Sequence, residues 1–268
     1  ILSFSPWQLL VAFGVAILIA GLLVHTRDWH LHLTGDHPDA GPQKIHTEST
    51  PRIGGLAVFA GLLAGLVTLY VTAPAALRAQ FDSIHPLGLL AGLVPLFILG
   101  LVEDISKTVS VRLRLAVSLV AGALAFSLAG VRVQALGLPI IDELILSTPL
   151  LSLLASLLFT LVAVAGMVHA MNIVDGLNGL LAGITLLILG VLAAVSASFQ
   201  ETALMLLALT GMAATAGFAV FNFPRGRLFC GDAGAYLIGY LIAVIVILLV
   251  KRQPSISPWF ALAVVIHP

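Results

Sequence analysis

The chain has 268 residues, 60% hydrophobic and 9% charged, with a formal net charge of zero and a mean hydropathy of +1.15. Too little polar surface remains to coat a soluble globule, and without a basic excess the chain is not a general nucleic-acid binder. The single cysteine, Cys230, excludes an internal disulfide and a thiolate metal cluster.

Long, unalternated apolar runs predict membrane-spanning helices of about 20 residues rather than barrel strands of about ten. Nine spans are expected, at residues 6–24, 53–73, 86–102, 113–130, 149–171, 179–198, 203–221, 233–250 and 258–268, in one all-α polytopic bundle. The first run is too long for a signal-peptide core and lacks a basic leader, so a retained helix is expected. A chain that opens on Ile1 and closes on Pro268 directly after an apolar run is expected to continue at both ends.

Between the first two spans, His25, His30, His32 and His37 match no compact zinc pattern and are expected in a solvated loop. Lys44, His46 and Arg52 then lead into Gly54-Gly55 at a helix start. Cations there are unfavourable unless an anion is bound, which suggests a phosphate contact; an ordinary positive-inside anchor is the competing reading. The third span ends in Glu103-Asp104, a carboxylate pair opposing the helix dipole. It reads either as a general base or charge facing a metal at the membrane edge, or as a solvated pair balanced by Lys107, Arg112 and Arg114. Val131-Arg132-Val133 and Gly137-Leu138-Pro139 suggest a short hairpin within 131–148.

Further on, Asn172, Asp175 and Asn178 recur every third residue, with Gly176 and Gly179 between them. Oxygen donors at this spacing suit Mg²⁺ or a polar ligand; a capping turn is the alternative. His169, one turn earlier, reads as a satisfied helix-end residue. After Phe221-Asn222-Phe223-Pro224 come Arg225, Arg227, Phe229, Gly231 and Asp232. Phe229 could stack on a base while Asp232 holds a metal on a diphosphate, or Asp232 could be a helix N-cap.

Alternating the loops places all these clusters on one side, with Arg27, Lys44, Arg52, Lys107, Arg112, Arg114, Arg225 and Arg227 against Arg78, Arg132, Lys251 and Arg252 opposite. That bias predicts a cytoplasmic location for the cluster side. Most carboxylates share it, as a surface binding both metal and phosphate requires. A transporter is the competing class; it would place polar groups near mid-bilayer, and no inverted repeat is evident.

The order Lys-x-His, Thr-Pro-Arg-x-Gly-Gly, Glu-Asp, Asn-x-x-Asp-Gly-x-x-Gly-Leu and Phe-x-Gly-Asp-x-Gly resembles the polyprenyl-phosphate N-acetylhexosamine-1-phosphate transferases, from about residue 40 onward. The resemblance implies about ten or eleven helices when complete and a site on the cytoplasmic face of the bacterial inner membrane. It implies transfer of sugar 1-phosphate from a UDP-N-acetylhexosamine to undecaprenyl phosphate, releasing UMP. The partners are then that lipid, that nucleotide sugar and membrane lipid, with no nucleic acid; a homodimer is an allowed assembly. Mg²⁺ is the implied cofactor, with Mn²⁺ as a substitute. Asn172 and Asp232 resemble the metal ligands, and Glu103-Asp104 the acidic pair that engages or deprotonates the lipid phosphate. Asp175 resembles part of the nucleotide-facing loop, Phe229 the uracil-stacking aromatic and Lys44 a phosphate contact, with His46, Arg52 and Asn178 as further substrate contacts. Many relatives have Asp-Asp where Glu103-Asp104 stands and Asp where Asn178 stands, and the histidine-bearing C-terminal loop would follow Pro268. The Thr-Pro-Arg-x-Gly-Gly and Glu-Asp forms point towards O-antigen or common-antigen initiators rather than the peptidoglycan enzyme, and direct attack by the lipid phosphate is preferred to an aspartyl intermediate.

Overall fold

The computed structural model describes residues 6–36 and 49–266; Lys44, His46 and His37 lie outside the described residues. Among these, eight helices are long and apolar enough to cross a membrane: α1 (Trp7–His25), α3 (Gly55–Thr72), α5 (Pro86–Ser106), α6 (Val111–Leu128), α8 (Pro149–Val174), α9 (Leu180–Ser198), α10 (Thr202–Asn222) and α11 (Gly231–Arg252). They match eight of the nine expected spans. The ninth is the nine-residue helix α12 (Pro258–Ile266).

Two further expectations are corrected. Residues 139–146 form helix α7 (Pro139–Leu146) instead of a hairpin arm. Pro139 is preset for a first helical position, and the Asp142 carboxylate accepts the amides of Leu136 (2.7 Å) and Leu138 (2.9 Å), tying the preceding turn to the helix. The segment after α1 is a helix too, α2 (Arg27–Thr34). His30 is held there, Nδ1 2.8 Å from Thr34 Oγ1 and Nε2 3.0 Å from Leu23 O, rather than lying free in a loop. Helix α4 (Ala75–Asp82) bridges α3 and α5. Strands β1 (Gly35–Asp36) and β2 (Thr50–Pro51) pair antiparallel, Gly35 against Pro51.

The axis of the bundle is α11, with 89% of its apolar window buried against 22–56% for the other spans. Small residues let its neighbours approach, which is how membrane helices gain packing without a hydrophobic driving force. A Cβ on Gly55 of α3 would lie 2.3 Å from Gly234 N, and one on Gly100 of α5 would lie 2.5 Å from Ala233 Cα. A Cβ on Gly239 would reach Val168 of α8 at 2.7 Å. The first turn of α11 therefore sits wedged between the N-terminus of α3 and the C-terminal part of α5. That junction positions the polar cluster.

Candidate active site at one end of the bundle

The ends of α5, α8 and α10 and the starts of α3, α6, α9 and α11 lie on one side, as the alternation of spans requires. Helix α11 begins with amides that have no intrahelical partner. Here carboxylates from two other elements meet them. Asp104, fully buried at the end of α5, accepts from Asp232 N at 2.7 Å and Ala233 N at 3.0 Å. Asp175, directly after α8, accepts from Gly231 N at 3.1 Å. Gly231 has φ +74°, and a Cβ there would strike Arg52 O at 2.0 Å and the Asp104 carboxylate at 2.6 Å, so glycine is required. Loss of hydration pushes the Asp175 carboxyl up to about 6, although the Gly231 amide and Arg52 pull it down.

Asp232, also buried, is the hub. Its Oδ1 accepts from Arg52 Nη2 (3.3 Å) and Asn172 Nδ2 (3.0 Å), and its Oδ2 from Arg114 Nη1 (3.2 Å) and the Tyr236 hydroxyl (3.0 Å). Arg52 Nη2 also stands 4.0 Å from Asp104 Oδ1. Arg114 Nη2 continues to Glu103 Oε1 at 2.6 Å, while Glu103 Oε2 accepts from Val109 N at 2.8 Å. Three segments distant in sequence, carrying Arg52, Arg114 and Asn172, thus converge with Tyr236 on one carboxylate.

The backbone builds the rest. Phe229 N donates to Pro51 O at 2.9 Å, and Gly54 N and Gly55 N donate to Phe229 O and Cys230 O, both at 2.8 Å. Half-buried Phe229 is therefore stitched to the Thr-Pro-Arg-x-Gly-Gly segment. Asn178 lies beside the 223–226 turn, with Nδ2 3.4 Å from Pro224 O, and its Oδ1 is a buried acceptor that meets no hydrogen-bond donor among the described residues. The Cys230 thiol is fully buried and desolvation pushes it well above its ordinary range, with Asp175 and Asp104 adding to the shift. It is an inert packing group.

Of the residues singled out from the sequence, Arg52, Glu103, Asp104, Asn172, Asp175 and Asp232 come together, with Phe229 and Asn178 flanking them. Tyr236 and Asn222 were not singled out, and Arg114 was named only among the cations of this side and as a base balancing Glu103-Asp104, a pairing that its contact with Glu103 bears out. Arg114 was visible as a cation in the first turn of a helix, where the macrodipole disfavours it. Tyr236 stands four residues after Asp232, on the same helix face. Asn222 ties the α9 entry to the 223–230 loop, accepting from Gly179 N (2.7 Å) and donating to Leu228 O (2.9 Å). Nothing but tertiary structure marks it.

Among the described residues no group of three His, Cys, Asp or Glu side chains surrounds a common metal position. The donors still fit Mg²⁺, which is commonly held by one or two carboxylates plus substrate phosphates rather than by an all-protein cage. Asp232 and the Asn172 amide oxygen are hard donors, and the cluster sets four carboxylates (Glu103, Asp104, Asp175, Asp232) against two guanidiniums (Arg52, Arg114). The remaining negative charge suits a divalent cation.

Residues 86–250 match the family model described as Glycosyl transferase family 4. The chain is 26% identical over 245 residues to a probable undecaprenyl-phosphate N-acetylglucosaminyl 1-phosphate transferase of Bacillus subtilis, covering 90% of this chain and 63% of that protein. It is 32% identical over 216 residues to the decaprenyl-phosphate N-acetylglucosaminephosphotransferase of Mycobacterium tuberculosis, covering 74% and 50%. With the undecaprenyl-phosphate alpha-N-acetylglucosaminyl 1-phosphate transferase of Thermotoga maritima it shares 28% identity over 204 residues, covering 76% and 53%. The chain thus spans between half and 63% of the length of these relatives.

Proposed function

Because the chain belongs to glycosyl transferase family 4, we propose that it transfers an N-acetylhexosamine 1-phosphate from a UDP-sugar to undecaprenyl phosphate on the cytoplasmic face of a bacterial inner membrane. The observation that carries this reading is the Asp232 hub at the membrane edge, where two guanidiniums and an oxygen-donor set converge beside a hydrocarbon-facing bundle. An oxygen of the lipid phosphate attacks the β-phosphorus of the nucleotide sugar. The bond from that phosphorus to the bridging oxygen breaks, and UMP leaves with the bridging oxygen. Phosphoryl transfer between anions needs positioning and charge screening more than covalent help.

Arg52 and Arg114 orient and screen the phosphates, since a guanidinium fork matches phosphate geometry. Asp232 with Asn172 would hold Mg²⁺, or Mn²⁺ in its place. Bound there, the ion would neutralise charge on the diphosphate. Both Asp104 oxygens are engaged by α11, so we assign Asp104 to positioning Asp232; Glu103, joined to Arg114, orients that guanidinium. Phe229 offers a face to the uracil, and the unmet Asn178 Oδ1 offers an acceptor to the nucleotide. The donor is proposed as UDP-N-acetylglucosamine, on the names of the relatives.

The test is UMP release by the full chain in detergent with undecaprenyl phosphate and a panel of UDP-N-acetylhexosamines, with Mg²⁺ or with EDTA. Lipid-dependent release that falls at least about a hundredfold in Asp232→Ala and stops with EDTA is expected. No release with any donor from folded protein would favour a transporter.

A further inference from the structure

Of the four side-chain donors that meet the Asp232 carboxylate among the described residues, three have further roles in the proposed reaction: Arg52 and Arg114 screen phosphates, and Asn172 serves the cation. The fourth is the Tyr236 hydroxyl. It donates to Oδ2 at 3.0 Å from the same helix, one turn deeper in the bundle. It is neutral, and with 1% of the residue exposed it offers no surface to a substrate.

The Tyr236 ring is braced from two other helices. It meets the His169 ring of α8 edge-on, with centroids 5.9 Å apart and planes at 73°. His169 is held in turn from α6, its Nε2 lying 3.2 Å from the oxygen of Ser118, a residue with no exposed surface. A serine hydroxyl has one hydrogen, and Ser118 gives it to Leu115 O at 2.8 Å. The Ser118 oxygen therefore accepts, His169 Nε2 donates, and the plane of the imidazole is set.

An aspartate in the first turn of a helix tends to fold back onto the free amides of that helix. Here Asp104 already occupies the amides of Asp232 and Ala233. Tyr236 draws Oδ2 away from the helix end, which leaves Oδ1 beside Asn172. Hydrogen bonds of this kind are what aim a metal-binding carboxylate. When the two guanidiniums turn to phosphate, the Tyr236 bond is the one that keeps the orientation.

We propose that Tyr236, braced by His169 and Ser118, is a positioning residue that holds Asp232 in the orientation the divalent cation needs, a role that rests on the proposed metal binding by Asp232 and Asn172.

The experiment is Mn²⁺ binding to the full chain in detergent, read by electron paramagnetic resonance, for the native chain, Asp232→Ala, Tyr236→Phe and Ser118→Ala. Binding that depends on Asp232 and weakens about tenfold or more in Tyr236→Phe is expected. Ser118→Ala frees the His169 ring and weakens binding in the same direction by less. Tyr236→Phe keeps the ring and leaves no buried donor unpaired, so its melting temperature should stay near native. In UMP release, the Mg²⁺ concentration for half activation should rise about tenfold in Tyr236→Phe while the rate at saturating Mg²⁺ changes less than about threefold, a split that general loosening of the fold does not give. Absence of Asp232-dependent binding in the native chain overturns the metal reading and the positioning role with it. Asp232-dependent binding that is unchanged in Tyr236→Phe, or in Ser118→Ala if the first variant does not fold, overturns the positioning role alone.

Discussion

Asp104 and Asp175 hold the start of α11 from two other elements, so each carboxylate is bound to the fold before it is available to chemistry. Asp104→Ala leaves two buried amides unpaired and is expected to cost about 2–4 kcal/mol, from the price of an unmet buried donor and of a lost cap. Thermal unfolding in detergent measures it, and a loss below about 1 kcal/mol would remove the capping role. Asp175 behaves differently because burial raises it from 3.8 to about 6. A group raised in the folded state contributes stability that is complete below its unfolded value and disappears as the pH climbs through its folded one. Asp175→Asn keeps an acceptor for Gly231 and carries no charge. Its melting temperature relative to the native chain should therefore rise between pH 5 and pH 7, and a pH-independent difference would contradict the assignment. From sequence, both acids were visible as candidates through their place at helix ends. Their partners were not, because a main-chain amide 128 residues away leaves no pattern in the chain.

Helix α11 is where local sequence and packing meet. Its apolar run made it legible as a span, yet nothing in that run distinguishes a central helix from a peripheral one, since lipid and protein interior ask for the same side chains. The glycines opposite it make the difference. Gly55→Ala would drive a methyl into Gly234 main chain at 2.3–2.7 Å, contacts that no side-chain rotation relieves. Overpacking of this kind costs about 1–3 kcal/mol. Because Gly55 directly follows the Arg52 segment, the variant should also lose UMP release beyond what its melting temperature explains. A variant with native stability and activity would mean that α3 can shift without disturbing the site. Helices α2 and α7 escaped the sequence reading for the opposite reason: at eight residues each they are too short for periodicity to outweigh turn-forming Gly, Pro and Asp nearby.

At the scale of the whole molecule the spans put Arg52, Glu103, Asp104, Asn172, Asp175 and Asp232 at one end, which gives a direct test of orientation. Cys230 is fully buried with a thiol raised by burial, so it should stay unlabelled by aqueous maleimide in the folded protein. Single cysteines can then be read on the native background. Ser110→Cys, at the start of α6 beside the cluster, should label from the cytoplasmic side, and Gln134→Cys, at the opposite end, from outside the cell. The reverse pattern would invert the proposed topology. The sequence by itself determined the membrane class, eight of the spans, their alternation and the candidacy of six residues that meet at one end, because hydrophobic length and the cost of stray charges are properties of short stretches of chain. Only the tertiary structure decided that Asp232 is the hub, that Asp104 and Asp175 serve α11, that Arg114 bridges Asp232 to Glu103, and that α11 is the axis. Those facts rest on contacts between helices far apart in sequence, and close packing of glycine faces, rather than any local preference, sets them.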